Sequence, residues 1–216
     1  MYEYYFFDLD GTLTDPGIGI TNSVMHALKK YGIEVSDRSE LYKFIGPPLA
    51  DSFMNYYGFT QERAMEAIGY YREYFADKGL FENTVYTGIR DALQKMKDAG
   101  AKLVVATSKP EKFANIILKH FDLDAFFVFV AGATMDESRN RKADVIRHAL
   151  NSLNITNPDS VLMVGDRSHD VIGAEECGIK CAGVLYGYGS REELLDAGAI
   201  HIVNNPEEVD SLLLLA

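Results

Sequence analysis

The chain has 216 residues, 47% of them hydrophobic and 25% charged, with no Trp and a formal net charge of -11. That length holds one good-sized core plus a small insertion, and the ordinary composition excludes disordered, collagenous and membrane-embedded classes. The acidic balance without a long Lys/Arg run argues against a nucleic-acid partner, and no stretch approaches the roughly 18 apolar residues of a spanning helix, so no membrane partner is expected.

Met1 leads straight into Tyr4-Tyr5-Phe6-Phe7, with no basic segment and no small-residue cleavage site, which points to a cytoplasmic protein. Tyr4 to Leu9 reads as the first strand. From about Pro16 to Tyr86 only helical stretches follow: Ile18 to Tyr31 before Gly32, Asp37 to Ile45 before Gly46, Leu49 to Tyr57 before Gly58, and Thr60 to Ala76. Alternation of helix and strand then resumes. A helix from Gly88 to Ala99 is closed by Gly100, a strand runs from Lys102 to Thr107, and Pro110 suits the first turn of the next helix. Further strands are expected at Phe127 to Val130, Val161 to Val164, Cys181 to Val184 and Ile200 to Val203. Ser190 and Glu193 suit a capping box, Asn205-Pro206 opens the last helix, and Leu212 to Leu215 reads as its buried end.

Alternation of this kind implies an α/β fold: a doubly wound parallel sheet, Rossmann-like, covered on both faces. A strand-helix-strand crossover needs only about 30 residues, so residues 16–86 are expected to form an inserted all-helical domain beside a core of residues 1–15 and 87–216. Cys177 and Cys181 lack the further His or Cys of a zinc site and read as reduced thiols. Gly17-Ile18-Gly19 does not complete a dinucleotide fingerprint, because position 22 is Asn.

In such a sheet a ligand sits beyond the carboxyl ends of the strands. There the first strand places Asp8-Leu9-Asp10-Gly11-Thr12, the second Thr107-Ser108-Lys109, and the fourth Gly165-Asp166, with Asp170 one helical turn later; Lys142 opens the helix before the fourth strand. Strand alternation lets Asp8 and Asp10 face one centre while Leu9 points into the core. Each of these residues alone is commonly a turn, a cap or a solvated side chain; the joint arrangement carries the argument. Like charges at ~4 Å cost roughly 4 kcal/mol per pair at an effective dielectric of about 20. The cluster therefore calls for a cation, and all-oxygen ligands favour Mg2+ over zinc.

With these motifs the chain resembles the haloacid dehalogenase superfamily, in its phosphoglycolate-phosphatase-like branch with a helical cap. The segments are Phe6-Phe7-Asp8-Leu9-Asp10-Gly11-Thr12-Leu13, Val104-Val105-Ala106-Thr107-Ser108-Lys109-Pro110 and Gly165-Asp166-Arg167-Ser168-His169-Asp170. The resemblance implies a magnesium-dependent phosphatase acting on a small phosphorylated metabolite, as a monomer or weak homodimer. Asp8 would be the nucleophile and Asp10 the general acid and base, while Thr107, Ser108 and Lys142 would bind phosphate. Asp8, the backbone carbonyl of Asp10, Asp166 and, as a further ligand, Asp170 would serve the metal. Arg139 and Arg141 lie close enough to Lys142 to compete for its place.

Asp10 fits neither the dehalogenases nor the phosphonate-cleaving relatives. A sugar phosphomutase shares the Asp-x-Asp chemistry, and a phosphoryl-accepting signalling module shares the residue types but accepts phosphate on a lone aspartate. A cap entered directly after Asp15-Pro16 implies small substrates: phosphoglycolate, sugar phosphates or nucleoside monophosphates. The Gly46 to Leu49 turn and the Tyr186 to Ser190 loop are candidate substrate contacts, and most of the eight aromatics between Tyr42 and Tyr74 considered for the cap are expected in its interior.

Overall fold

Aromatic residues pointing to both faces make the start of the chain a buried strand: in β1 (Tyr4–Phe7) the side chains of Tyr5, Phe6 and Phe7 are sealed from solvent. The computed structural model describes residues 2–215. A two-residue strand, β2 (Thr14–Asp15), ends the first core segment. Next come α1 (Gly17–Lys29), a 3-10 helix at Arg38–Phe44, α2 (Leu49–Tyr57) and α3 (Gln61–Tyr74), which runs into a π turn at Phe75–Gly79. The two-residue β3 (Thr84–Val85) is followed by α4 (Ile89–Asp98), β4 (Lys102–Pro110), α5 (Glu111–His120), β5 (Phe127–Ala133), α6 (Lys142–Ser152) and β6 (Val161–Gly165). The chain finishes with α7 (Ser168–Glu175), β7 (Lys180–Val184), α8 (Arg191–Asp196), β8 (His201–Val203) and a 3-10 helix at Pro206–Leu214. Residue contacts define two units: the chain up to Asp15 with the chain from Val85 onward, and Pro16–Thr84.

The first unit is built on a six-stranded sheet of order β5-β4-β1-β6-β7-β8, every neighbouring pair parallel. Phe7 is level with Val105 of β4 and Val164 of β6, so β1 and β6 end within one residue of each other while β4 runs on to Pro110. The chain winds outward from β1 in one direction through β4 and β5, then in the other through β6, β7 and β8. The order therefore reverses at β1, which is where a crevice for ligand opens in a doubly wound sheet. Helices cover the faces with apolar stripes: α4 buries Ile89, Ala92, Leu93 and Met96 at helical spacing and keeps Lys95 and Lys97 in its last turn, where they complement the helix dipole. Phe6, Val104, Ile146, Met163 and Cys181 belong to one buried cluster. Cys177 and Cys181 are free thiols.

The second unit is helical. Phe44 and Phe53 meet edge to face at 5.1 Å and Phe53 stacks on Phe59 at 5.8 Å. Its aromatics are less interior than the sequence suggests: of the eight considered, Phe44, Phe53 and Tyr71 are buried, while Tyr42 and Tyr56 are each 40% exposed. The Lys43 ammonium sits 4.5 Å from the Tyr56 ring and gives it a surface partner. Gly19 explains its own motif. A Cβ there would lie 2.1 Å from the carbonyl oxygen of Gly79, so α1 and the π turn touch backbone to backbone. Asp37 accepts the Ser39 N–H at 2.9 Å and caps the helical stretch expected from Asp37 to Ile45, which is a 3-10 helix.

Two expectations at the end of the chain need correction. Of the Leu212 to Leu215 run only Leu212 is buried, and Leu214 is 85% exposed, because the closing helix turns with a three-residue period that buries Val209 and Leu212. Ser190 accepts the Glu193 N–H at 3.1 Å as a cap should, but the Glu193 carboxylate is committed to the Ser168 N–H at 2.8 Å and to Arg167.

Candidate active site

Four acidic side chains gather where β1 and β6 end, and three of them form one cluster. Asp8, Asp166 and Asp170, all buried, each offer a carboxylate oxygen within 4.8 Å of the others. Asp8 directly follows β1: its N–H donates to the Val164 carbonyl at 2.9 Å, and its Oδ1 accepts the Leu9 N–H at 2.7 Å. Asp166 follows β6, accepts the Tyr188 N–H on Oδ2 at 2.8 Å, and has a buried Oδ1 with no hydrogen-bond partner. Asp170, in the first turn of α7, accepts the Arg167 N–H on Oδ2 at 3.1 Å. Lys142, the first residue of α6, reaches this centre with its Nζ 3.0 Å from Asp8 Oδ1, 2.8 Å from Asp170 Oδ1 and 2.9 Å from the Ala106 carbonyl.

The electrostatics are lopsided. Two carboxylates 4.8 Å apart repel by about 3.5 kcal/mol at an effective dielectric near 20, and the Lys142 ammonium pairs with two of the three, Asp8 and Asp170. Burial pushes Asp166 well above the usual carboxylate range, with the charges of Asp170 and Asp8 adding to it. Burial likewise raises Asp170 to about 6 against the opposing pull of Lys142. For Lys142 burial alone would lower the pKa, yet Asp170 and Asp8 outweigh it and hold the ammonium more firmly charged than usual. Surplus negative charge, an all-oxygen donor set and the unpartnered Asp166 Oδ1 together fit a hard divalent cation.

Asp10 stands apart from this cluster. Its Oδ2 is ion-paired with Lys109, and its Oδ1 is buried without a partner. Burial raises its pKa, Lys109 opposes the shift and Asp8 adds to it. Its carboxylate is not part of the Asp8, Asp166 and Asp170 group. Thr107, buried within β4, accepts the Lys109 N–H at 3.2 Å on its hydroxyl, and Ser108 beside it is half-buried. Among the described residues, neither hydrogen-bonds to the three clustered carboxylates. Arg139 turns away to Glu111 at 3.3 Å and the Gly132 carbonyl at 3.0 Å, and Arg141 pairs with Glu176 at 2.8 Å. Of the three neighbouring cations, Lys142 is the one the fold brings to the aspartates. His169 is exposed on α7.

Lys109 carried no assigned role in the sequence reading. The loop after β7, expected as a candidate substrate contact, is tied to the first strand end: the Tyr186 hydroxyl donates to the Thr12 carbonyl at 3.0 Å and the Tyr188 hydroxyl bonds to the Asp15 carboxylate. Its glycines make the approach possible: a Cβ on Gly187 would lie 2.3 Å from the Gly11 carbonyl oxygen, and one on Gly189 1.9 Å from that of Asp166. The tyrosine-glycine alternation just past a strand end was the available signal.

Comparison with known proteins agrees with this geometry. The family model described as haloacid dehalogenase-like hydrolase matches residues 5–184. Over 193 residues the chain is 48% identical to a 5'-nucleotidase of Pseudomonas aeruginosa, covering 89% of this chain and 87% of that one. Over 210 residues it is 41% identical to the tyrosine-protein kinase PtkA of Mycobacterium tuberculosis, covering 97% and 71%. The crystal structure of a predicted phosphatase from Clostridium acetobutylicum matches over 100% of both chains with a TM-score of 0.97 at 51% identity.

Proposed function

Since the chain belongs to the haloacid dehalogenase-like hydrolases and is a phosphatase of that family, we propose that it hydrolyses small phosphomonoesters, nucleoside 5'-monophosphates foremost, with Asp8 carrying the phosphoryl group between two half-reactions. The observation that carries this reading is the convergence of Asp8, Asp166 and Asp170 with the Lys142 ammonium at the point where the strand order reverses. The choice of nucleotide among small esters follows the 48% identity to the Pseudomonas aeruginosa 5'-nucleotidase.

In the first half-reaction the Asp8 carboxylate attacks phosphorus while Asp10 gives a proton to the ester oxygen, so that the P–O bond breaks and a neutral alcohol leaves. In the second, Asp10 takes a proton from a water molecule that attacks the acyl phosphate; inorganic phosphate departs and both aspartates return to their starting states. Lys142, Thr107 and Ser108 hold non-bridging phosphoryl oxygens. Asp8, the backbone carbonyl of Asp10, Asp166 and Asp170 are the residues that would hold Mg2+, which when bound supplies neutralisation of charge on the phosphoryl group.

The deciding experiment is phosphate release across nucleoside monophosphates, sugar phosphates and phosphoglycolate, with Mg2+ and with a chelator. Nucleoside 5'-monophosphates should head the ranking and activity should return when Mg2+ is restored. Full turnover in metal-free protein would overturn the proposal. Labelling of Asp8 without multiple turnovers would identify a phosphoryl acceptor instead.

A further inference from the structure

We infer that Lys109 is a positioning residue for proton transfer: by holding Asp10 through one carboxylate oxygen, Oδ2, it presents the other, Oδ1, as the atom that passes the proton to the leaving group and later takes one from water. The inference rests on the reading of Asp10 as the acid and base.

Three observations carry it. First, the pair is almost wholly out of water, the side chains of Lys109 and Asp10 being 5% and 11% exposed. A buried ion pair is weak evidence of a stabilising role, because the desolvation of both charges offsets their attraction. Second, the backbone is arranged to aim Lys109. The β4–β5 ladder shifts register between Leu103 and Val104, runs regularly from Val104 to Thr107 opposite Gly132, and shifts again before Pro110 meets Ala133. An irregularity of this kind re-aims side chains at a strand end, and the Lys109 N–H is pinned to Thr107 Oγ1 at 3.2 Å. Third, the pairing is one-sided. Asp10 Oδ1 has no partner, although it is buried and its sister oxygen is bound; buried polar atoms are so consistently satisfied that an exception at a reaction centre points to a group that arrives with the substrate.

Lys142 cannot supply this constraint, since its ammonium is already shared among Asp8, Asp170 and the Ala106 carbonyl. The site thus divides its two buried lysines, one for the nucleophile and its acidic neighbours, the other for the acid. Without Lys109 the Asp10 carboxyl is free to turn about its terminal torsion, and the Oδ1 proton is no longer directed at the ester oxygen as its bond to phosphorus breaks. Esters with poor leaving groups, which need that proton, suffer most; nitrophenyl esters, whose leaving group is stable as an anion, suffer least.

The test compares kcat/KM for an alkyl phosphate and for 4-nitrophenyl phosphate in wild type, Lys109→Met, Asp10→Asn and the double variant, all with Mg2+. The ratio of the two values within one preparation is independent of the fraction of protein that is folded. In Lys109→Met the alkyl-to-aryl ratio should fall roughly 10- to 100-fold, part of the range general acid catalysis commands. Adding this substitution to Asp10→Asn should not lower the ratio further. In Lys109→Ala, ethylammonium should restore alkyl phosphate hydrolysis more than nitrophenyl phosphate hydrolysis, and this comparison decides the matter if Lys109→Met is poorly expressed. An unchanged ratio in Lys109→Met, with a lowered ratio in Asp10→Asn, would overturn the role of Lys109 alone. An unchanged ratio in Asp10→Asn would overturn the acid-base reading and the inference with it.

Discussion

Asp166→Asn should make the metal-free protein more stable and the magnesium-loaded protein less stable than wild type, so that the order of the two proteins reverses with metal. Asp166 lies within 4.8 Å of two other carboxylates, and each repulsion amounts to about 3.5 kcal/mol at an effective dielectric near 20. Proton uptake relieves part of it, because burial and these neighbours already push Asp166 well above its usual range. The asparagine keeps an acceptor for the Tyr188 N–H, now at 2.8 Å from Oδ2, and turns a donor toward Asp8 and Asp170 in place of a charge. A net gain of about 2 kcal/mol remains after these offsets, which for a chain of this size raises the Tm by about 4–8 °C. With Mg2+ the wild type gains by mass action, about 2.7 kcal/mol at a hundredfold excess over Kd, and the variant gains little. Thermal unfolding in chelator, in Mg2+ and in KCl of matched ionic strength measures all of this. The reasoning fails if the variant is the less stable protein in chelator, which would make Asp166 a structural acceptor for the loop, or if KCl reproduces the effect of Mg2+, which would reduce the cluster to a screened surface charge.

Further expectations follow from the same geometry. Asp8→Asn should abolish turnover of any phosphomonoester while leaving a cooperative unfolding transition, since the amide cannot attack phosphorus; a folded variant with near-normal rates would contradict it. Asp170 has a folded pKa raised to about 6 from an ordinary value of 3.8, so the folded state holds its proton more tightly than the unfolded one. Its stabilising contribution is therefore present at low pH and lost as pH rises through 6, worth up to about 3 kcal/mol over the full span. Metal-free protein should accordingly resist denaturant better at pH 5.5 than at pH 7.5, and a stability that rises over that interval would refute the assignment. Gly187→Ala, whose Cβ would meet the Gly11 carbonyl oxygen at 2.3 Å and Asp166 Cβ at 2.4 Å, should lose at least about tenfold in kcat/KM because the loop carrying the Tyr188 N–H must move. Gly69→Ala on α3, where nothing lies within 4 Å, is the control and should be neutral or stabilising by up to about 1 kcal/mol.

What could be read from the sequence was what local pattern determines. The strands announce themselves through runs such as Val161 to Val164, and the acids fall at strand ends because chain order and strand length put them there. The choice among Arg139, Arg141 and Lys142 was not local. It is settled by Glu111 and Glu176, which draw the two arginines away, and no spacing rule reveals those partners. The same holds for Glu193, whose spacing from Ser190 suits a capping box but whose carboxylate has a charged competitor in Arg167.

Lys109 shows the limit most clearly. It was visible as a letter in the strand-end segment, yet its direction depends on the register shift against β5 and its meaning on the carboxylate it meets 99 residues earlier in the chain. Once that pair is seen, the charge of the whole site can be weighed. Asp8, Asp10, Asp166 and Asp170 bring four carboxylates, and Lys109 and Lys142 answer two of them. With all four ionised the remainder is two negative charges in a buried volume, which a divalent cation balances and which protons relieve in its absence, as the raised pKa of Asp166 and Asp170 shows. A phosphate dianion entering the bare site would meet that surplus at short range, at a cost of several kcal/mol per pair. Charge balance among the aspartates and the two lysines, rather than any single ligand, is therefore the property that makes this strand end fit for a phosphoryl group.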